Sequence, residues 1–113
     1  MIEIAKKDIQ ELKTLANPPQ LVKFTMDAVS ILLDVKVDWA SQRKLLSDPA
    51  NFKSRLENYD IKNVDSKKLA KLKPIIECSD MTVERIAGVS KACVPLYQWV
   101  MSIHDQAISL QMN

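Results

Sequence analysis

Residues 1–19 read MIEIAKKDIQELKTLANPP, and the two prolines that close the run divide the chain. Before them, apolar residues stand at Ile2, Ala5, Ile9, Leu12 and Ala16. Steps of three and four alternate there, which is the spacing of a heptad seam. Near the other end Leu96, Val100, Ile103, Ala107 and Leu110 repeat the pattern, beginning with a step of four. A single chain joins the two seams, so they can pair only by running antiparallel. The expectation is an all-α fold: a small bundle of about six short helices, capping an antiparallel two-helix coiled-coil stalk. Residues 1–16 would form the first stub, 17–99 the head and 100–113 the second stub.

Composition agrees with helices. The 113 residues include one Gly, and 47% are apolar, enough for one small domain with a core. The formal net charge of +2 is too small to imply a polyanionic partner by itself. Cys78 and Cys93 stand apart, with no CxxC or Cys/His cluster, so zinc is not expected. Two lone thiols and no signal peptide point to a reducing, cytoplasmic setting. No apolar run approaches the roughly 18 residues of a membrane span. Met1 stands directly before the heptads, as in a chain cut from a longer coiled coil, so a fragment of a larger protein is expected.

In chain order, Pro18-Pro19 ends the first stub and opens a helix to Leu33, with Asn17 as its N-cap. Val22, Met26, Val29 and Leu33 form its apolar stripe, and Lys23, Asp27, Ser30 and Asp34 its outer side. Asp38 caps a short helix, Trp39 to Leu46. Asp48 caps the next, with Pro49 in its first turn. Phe52, Leu56 and Tyr59 point inward from it, and Lys53, Arg55 and Glu57 outward. After a turn at 59–64, Ser66 caps a helix from Lys67 to Lys73 that Pro74 ends. Asp80 or Thr82 caps the last and longest helix, whose stripe runs from Val83 into the second seam. Pro95 inside it predicts a kink. The prolines at 18, 19 and 95 would lie near each other as a hinge where stalk meets head. His104, just off the second seam, reads as a solvated residue.

From Lys53 to Lys73 seven basic residues face three acidic ones, so the remainder of the chain is net acidic. Two solvated helix faces would explain this. A docking patch for an acidic surface is the sharper reading. No glycine-rich phosphate loop, Ser/His/Asp set or carboxylate pair supports catalysis, so the chain reads as a binding domain with no cofactor and no metal.

The stretches NPPQLVKFTMDAVSILL, Asp38-Trp39, KLLSDPANFKSRLENYD and VERIAGVSKACVPLYQWV resemble, in order, the microtubule-binding domain at the stalk tip of the dynein heavy chain. The resemblance spans essentially the whole chain. YDIKN leans toward the axonemal members. The resemblance implies a helical head that binds α/β-tubulin where the two subunits meet, through its first, third and last helices. It implies attachment to the rest of a motor whose ATPase lies elsewhere, and a place in the cytoskeleton. By position it implies tubulin contacts at Lys23, Lys53, Arg55 and Glu84, and more loosely at Lys67 and Lys71. Many relatives carry an arginine where this chain has Gly88, and Lys91, one turn on, is expected to replace part of that charge. The family passes signals along the stalk by sliding one helix past the other. A shift of four residues, about 6 Å, restores seam against seam. The rival reading is a helical module that binds nucleic acid, or another acidic surface, through the 53–73 patch.

Overall fold

The computed structural model describes residues 5–15 and 17–111, the last by its backbone alone. Seven α-helices occur among them. They are α1 (Lys6–Lys13), α2 (Gln20–Leu33), α3 (Trp39–Leu46), α4 (Pro49–Glu57), α5 (Ser66–Ile76), α6 (Val83–Val89) and α7 (Val94–Gln111). Single 3-10 turns lie at Ile61–Asn63 and Lys91–Cys93. Ile2 and Ala16 of the first seam fall outside the described residues.

α2 is the central rod, packed on α5, α7, α6 and α3. It starts later than the sequence suggests. Pro19 is its N-cap, with ψ at 153°, and no side chain caps it. Pro18 precedes another proline and is pushed away from helical geometry, so neither proline enters the helix. Asn17 is thereby left too far from the first turn to cap it.

The other end of α2 is fully accounted for. Asp34 adopts the left-handed conformation, with φ 60° and ψ 39°. Its N–H donates to Ile31 O at 3.4 Å, and that of Val35 to Ser30 O at 2.9 Å, closing a Schellman motif. Two carbonyls remain. Tyr59 Oη donates to Leu32 O at 2.7 Å, and Arg55 Nη2 to Leu33 O at 3.3 Å. α4 and the residues just after it thus satisfy the acceptors that a helix end leaves open.

The same device recurs. At the end of α1, Lys13 O accepts from Arg43 Nε at 3.1 Å and Leu15 O from Trp39 Nε1 at 2.8 Å. Asp38, Asp48 and Thr82 cap α3, α4 and α6 as expected, accepting from the N–H groups of Ser41, Asn51 and Arg85.

Two expectations fail here. α5 is capped by Asp65, whose carboxylate accepts from Lys68 N, so Ser66 is already helical. Pro74 does not end the helix, which runs on to Ile76. A proline this close to the C-terminus removes one backbone bond, while Ile75 and Ile76 still pack against the core. The supposed long last helix is also two helices. Ser90 is extended (φ −159°, ψ 112°), and Pro95 sits in the first turn of α7, where its missing N–H breaks no helical bond. The kink expected at Pro95 is therefore a break five residues earlier.

Phe52, Met26, Leu32, Leu46, Leu72, Ile86 and Leu96 are fully buried in one cluster. Each contributes roughly 1.5–3 kcal/mol relative to exposure. Ile9 and Leu12 of the first seam belong to that cluster, as do Val100, Ile103 and Ala107 of the second. α1 packs chiefly on the 91–93 turn, α3 and α4. Among the described residues no helix is long and apolar enough to cross a membrane.

Candidate functional site

Lys23 lies in the first turn of α2, and its ammonium contacts the Asp27 carboxylate one turn on. The same carboxylate accepts from Gln42 Nε2 at 2.9 Å. Gln42 Nε2 also lies 3.1 Å from Ser30 Oγ, which donates to Met26 O at 2.8 Å. The side expected to face water is thus roofed by α3. Ser30 and Gln42 are buried, and the Lys23 side chain keeps 29% exposure. The sequence places residues on a common helix face but does not say what covers that face. Gln42 Oε1 is buried without a partner among the described residues.

Beyond Asp27 the positive charge continues. The Asp38 carboxyl is held below its usual range, first by Ser41, whose backbone N–H and side chain bond it, and then by the charges of Lys36 and Lys23. Lys36 was missed in the sequence, where it is one lysine in a short loop. The left-handed turn at Asp34 brings it forward, and it lines a hollow together with Lys71 of α5. Lys23, Lys36 and Lys71 are therefore linked through their neighbours.

The 53–73 patch is dispersed. Lys53 and Arg55 are two apart on α4 and cannot share a face. Arg55 is tied to the end of α2, and Lys53 is half-buried. Lys68 is tied down at the surface, with Nζ 3.0 Å from Asp34 Oδ2 and 3.1 Å from Asn63 O. Lys67 and Lys71 remain exposed.

Glu84 and Gly88 face solvent on α6, and the space where a Cβ on Gly88 would stand is open. Lys91 does not follow them in helical phase, because the extended Ser90 intervenes. It lines a cleft of about 350 Å³ with Glu11, Leu15, Pro19 and Val89. Pro95 lines a different hollow, with Tyr59, Trp99 and Ile103. Arg85, not anticipated as a paired residue, lies 3.1 Å from Asp80. His104 is not a solvated residue. Its side chain keeps 17% exposure beside Asp105 and lines a hollow with Leu69, Ile76 and Ile108.

Burial pushes the Cys93 thiol up to about 11, against a smaller opposing effect of Thr25. Among the described residues no group of three or more His, Cys, Asp or Glu is placed to hold a metal ion. What the surface offers is a set of lysines beside short acidic side chains.

No protein-family model matches the chain. Individual relatives do. The chain is 43% identical over 107 residues to Dynein axonemal heavy chain 6 of Homo sapiens, a match covering 93% of this chain and 2% of that protein. It is 39% identical over 100 residues to human Dynein axonemal heavy chain 14, covering 88% of this chain and 3% of that one. It is 38% identical over 99 residues to the cytoplasmic dynein heavy chain of Dictyostelium discoideum, covering 85% and 2%. The chain thus spans only 2% to 3% of the length of these curated relatives.

Proposed function

We propose, from a chain that is homologous to one short segment of the dynein heavy chains, that it is the microtubule-binding head at the tip of a dynein stalk. The observation that carries the reading is this kinship over about nine-tenths of the chain. The surface supports it. Lys36 and Lys71 line one hollow, Lys36 and Lys23 both act on Asp38, and attraction to an acidic wall gives fast, salt-sensitive association. Each exposed ion pair is worth about 0.2–1 kcal/mol, so several must act together. Lys53, Arg55, Lys67, Glu84 and Lys91 are proposed as further contacts, with Pro18, Pro19 and Pro95 at the bends. The partners are α/β-tubulin and the remainder of a heavy chain, in the cytoskeleton or the axoneme.

Control is proposed to come through the two terminal helices. Continued outward, they form an antiparallel pair whose four-residue slip moves α1 against the 91–93 turn, on which it rests. Lys23→Glu should sharply reduce co-sedimentation with microtubules at unchanged helical content, and unaltered pelleting sinks the role. Fusing both ends to a rigid antiparallel coiled coil in two registers four residues apart should give two affinities. Equal affinities reject the sliding.

A further inference from the structure

We propose that the hollow at the α2–α3 turn is a binding site for a flexible acidic peptide that carries an apolar side chain between its carboxylates. The inference rests on the reading above only in giving the head an acidic partner. The hollow measures about 590 Å³ and is lined by Ile31, Asp34, Val35, Lys36, Val37 and Lys71. Its charge is positive. Lys36 and Lys71 are exposed, and neither makes an ion pair among the described residues. The one acid in the wall, Asp34, is held by Lys68 at 3.0 Å.

Two features fit a peptide carboxylate in particular. The last four carbonyls of α2 already have donors in Val35, Asp34, Tyr59 and Arg55, so this helix end turns no open acceptor toward an incoming anion. The wall between the lysines is apolar. Val37 is 49% exposed, and Ile31 and Val35 are half-buried. An extended segment can lay carboxylates on Lys36 and Lys71 and seat an aliphatic or aromatic side chain on Val37. A nucleic acid strand matches less well. No aromatic ring lines the hollow for a base to stack on, and Asp34 stands among the lysines.

The test uses the chain labelled with nitrogen-15 and a synthetic peptide of glutamates around one phenylalanine. Amide shifts should centre on Val35, Lys36, Val37 and Lys71, and should fade as salt is raised. Lys36→Glu with Lys71→Glu should weaken binding about tenfold or more, and the two Gln substitutions by less. Shifts centred elsewhere, or unchanged affinity in the reversed variant, overturn the site. So does a single-stranded oligonucleotide that moves the same amides at equal concentration. Microtubule pelleting separates the two proposals. A chain that pellets but ignores the peptide rejects this site alone. One that binds the peptide but never pellets rejects the microtubule reading alone.

Discussion

Trp99 donates its indole N–H to the backbone carbonyl of Leu56 at 3.1 Å. The bond joins α7 to the final turn of α4, and Tyr59 packs edge-on against the same indole, with centroids 5.5 Å apart at 75°. From Tyr59 the connection continues to the end of α2. Three helices are thereby fixed in relative height by polar bonds, while the buried apolar side chains fix their separation.

Trp99→Phe keeps an aromatic ring against Tyr59 and deletes the donor. Leu56 O would keep the long 3.5 Å bond from the Tyr59 N–H, so losing the indole donor should cost about 0.5–1.5 kcal/mol. The urea midpoint should fall by that cost divided by the slope, with the slope itself unchanged. A midpoint within error of the parent shows that the indole bond contributes nothing.

Gly88→Ala should stabilise the chain by up to about 1 kcal/mol, since α6 gains a better helix former and the site has room. Gly88→Arg adds a cation four residues after Glu84, a favourable helical pair. Under the microtubule reading it should also raise affinity severalfold in pelleting. Unchanged pelleting of Gly88→Arg means that α6 faces away from the partner, and unchanged stability of Gly88→Ala means that helix propensity at this site does not limit the fold.

Asp27→Asn keeps an acceptor for Gln42 but removes the charge that occupies Lys23. The pair is partly buried and is worth at least as much as an exposed one, about 0.2–1 kcal/mol, so pelleting affinity should rise by about 1.4- to fivefold or more. Combined with Lys23→Glu, the gain should vanish. A gain that survives without Lys23 assigns the effect to net charge.

Alkaline pH should loosen the fold. Burial pushes the Cys93 thiol up to about 11. Burial first, then Asp34, Asp60 and Asp65, pushes the Tyr59 phenol up to about 12. In the unfolded chain these groups ionise near about 8.5 and 10. Between those values and the folded ones the unfolded state binds fewer protons, so stability falls as pH rises. The contribution is whole below about pH 8.5 and is lost up to about pH 12. Urea midpoints taken at about pH 8 and pH 10 should show the decline, and Cys93→Ala should lessen it. A flat profile rules out both groups.

Much of this was legible in the residues. Asp38, Asp48 and Thr82 announce their helices because a short polar side chain before an apolar period has one good use. Asp65 was overlooked because Ser66 beside it is an equally good cap. The break at Ser90 was hidden because the stripe from Val83 to Tyr97 keeps helical phase across it. The two seams reported which faces are buried, and for Ile9 and Val100 that burial is within the head itself. Lys36 and the roof over Lys23 lay beyond reach, since both depend on where α3 comes to rest. Only the seven-to-three charge imbalance hinted at a basic surface, and Lys68 and Arg55 then proved to be bonded to other parts of the fold, at the end of α2 and the turn after it.

Tension along α7 does not run on into α6. The chain changes direction at Ser90, so a pull at the far end of α7 is carried by Leu96 and Trp99 into the packed interior. It reaches α6 through the direct packing of α7 on α6 and through one narrow turn, and that turn is also the seat on which α1 leans. A push delivered through α1 reaches α6 by way of that turn, whereas a pull on α7 reaches it by direct packing as well. The two ends of the chain therefore act on the head as levers with different points of purchase.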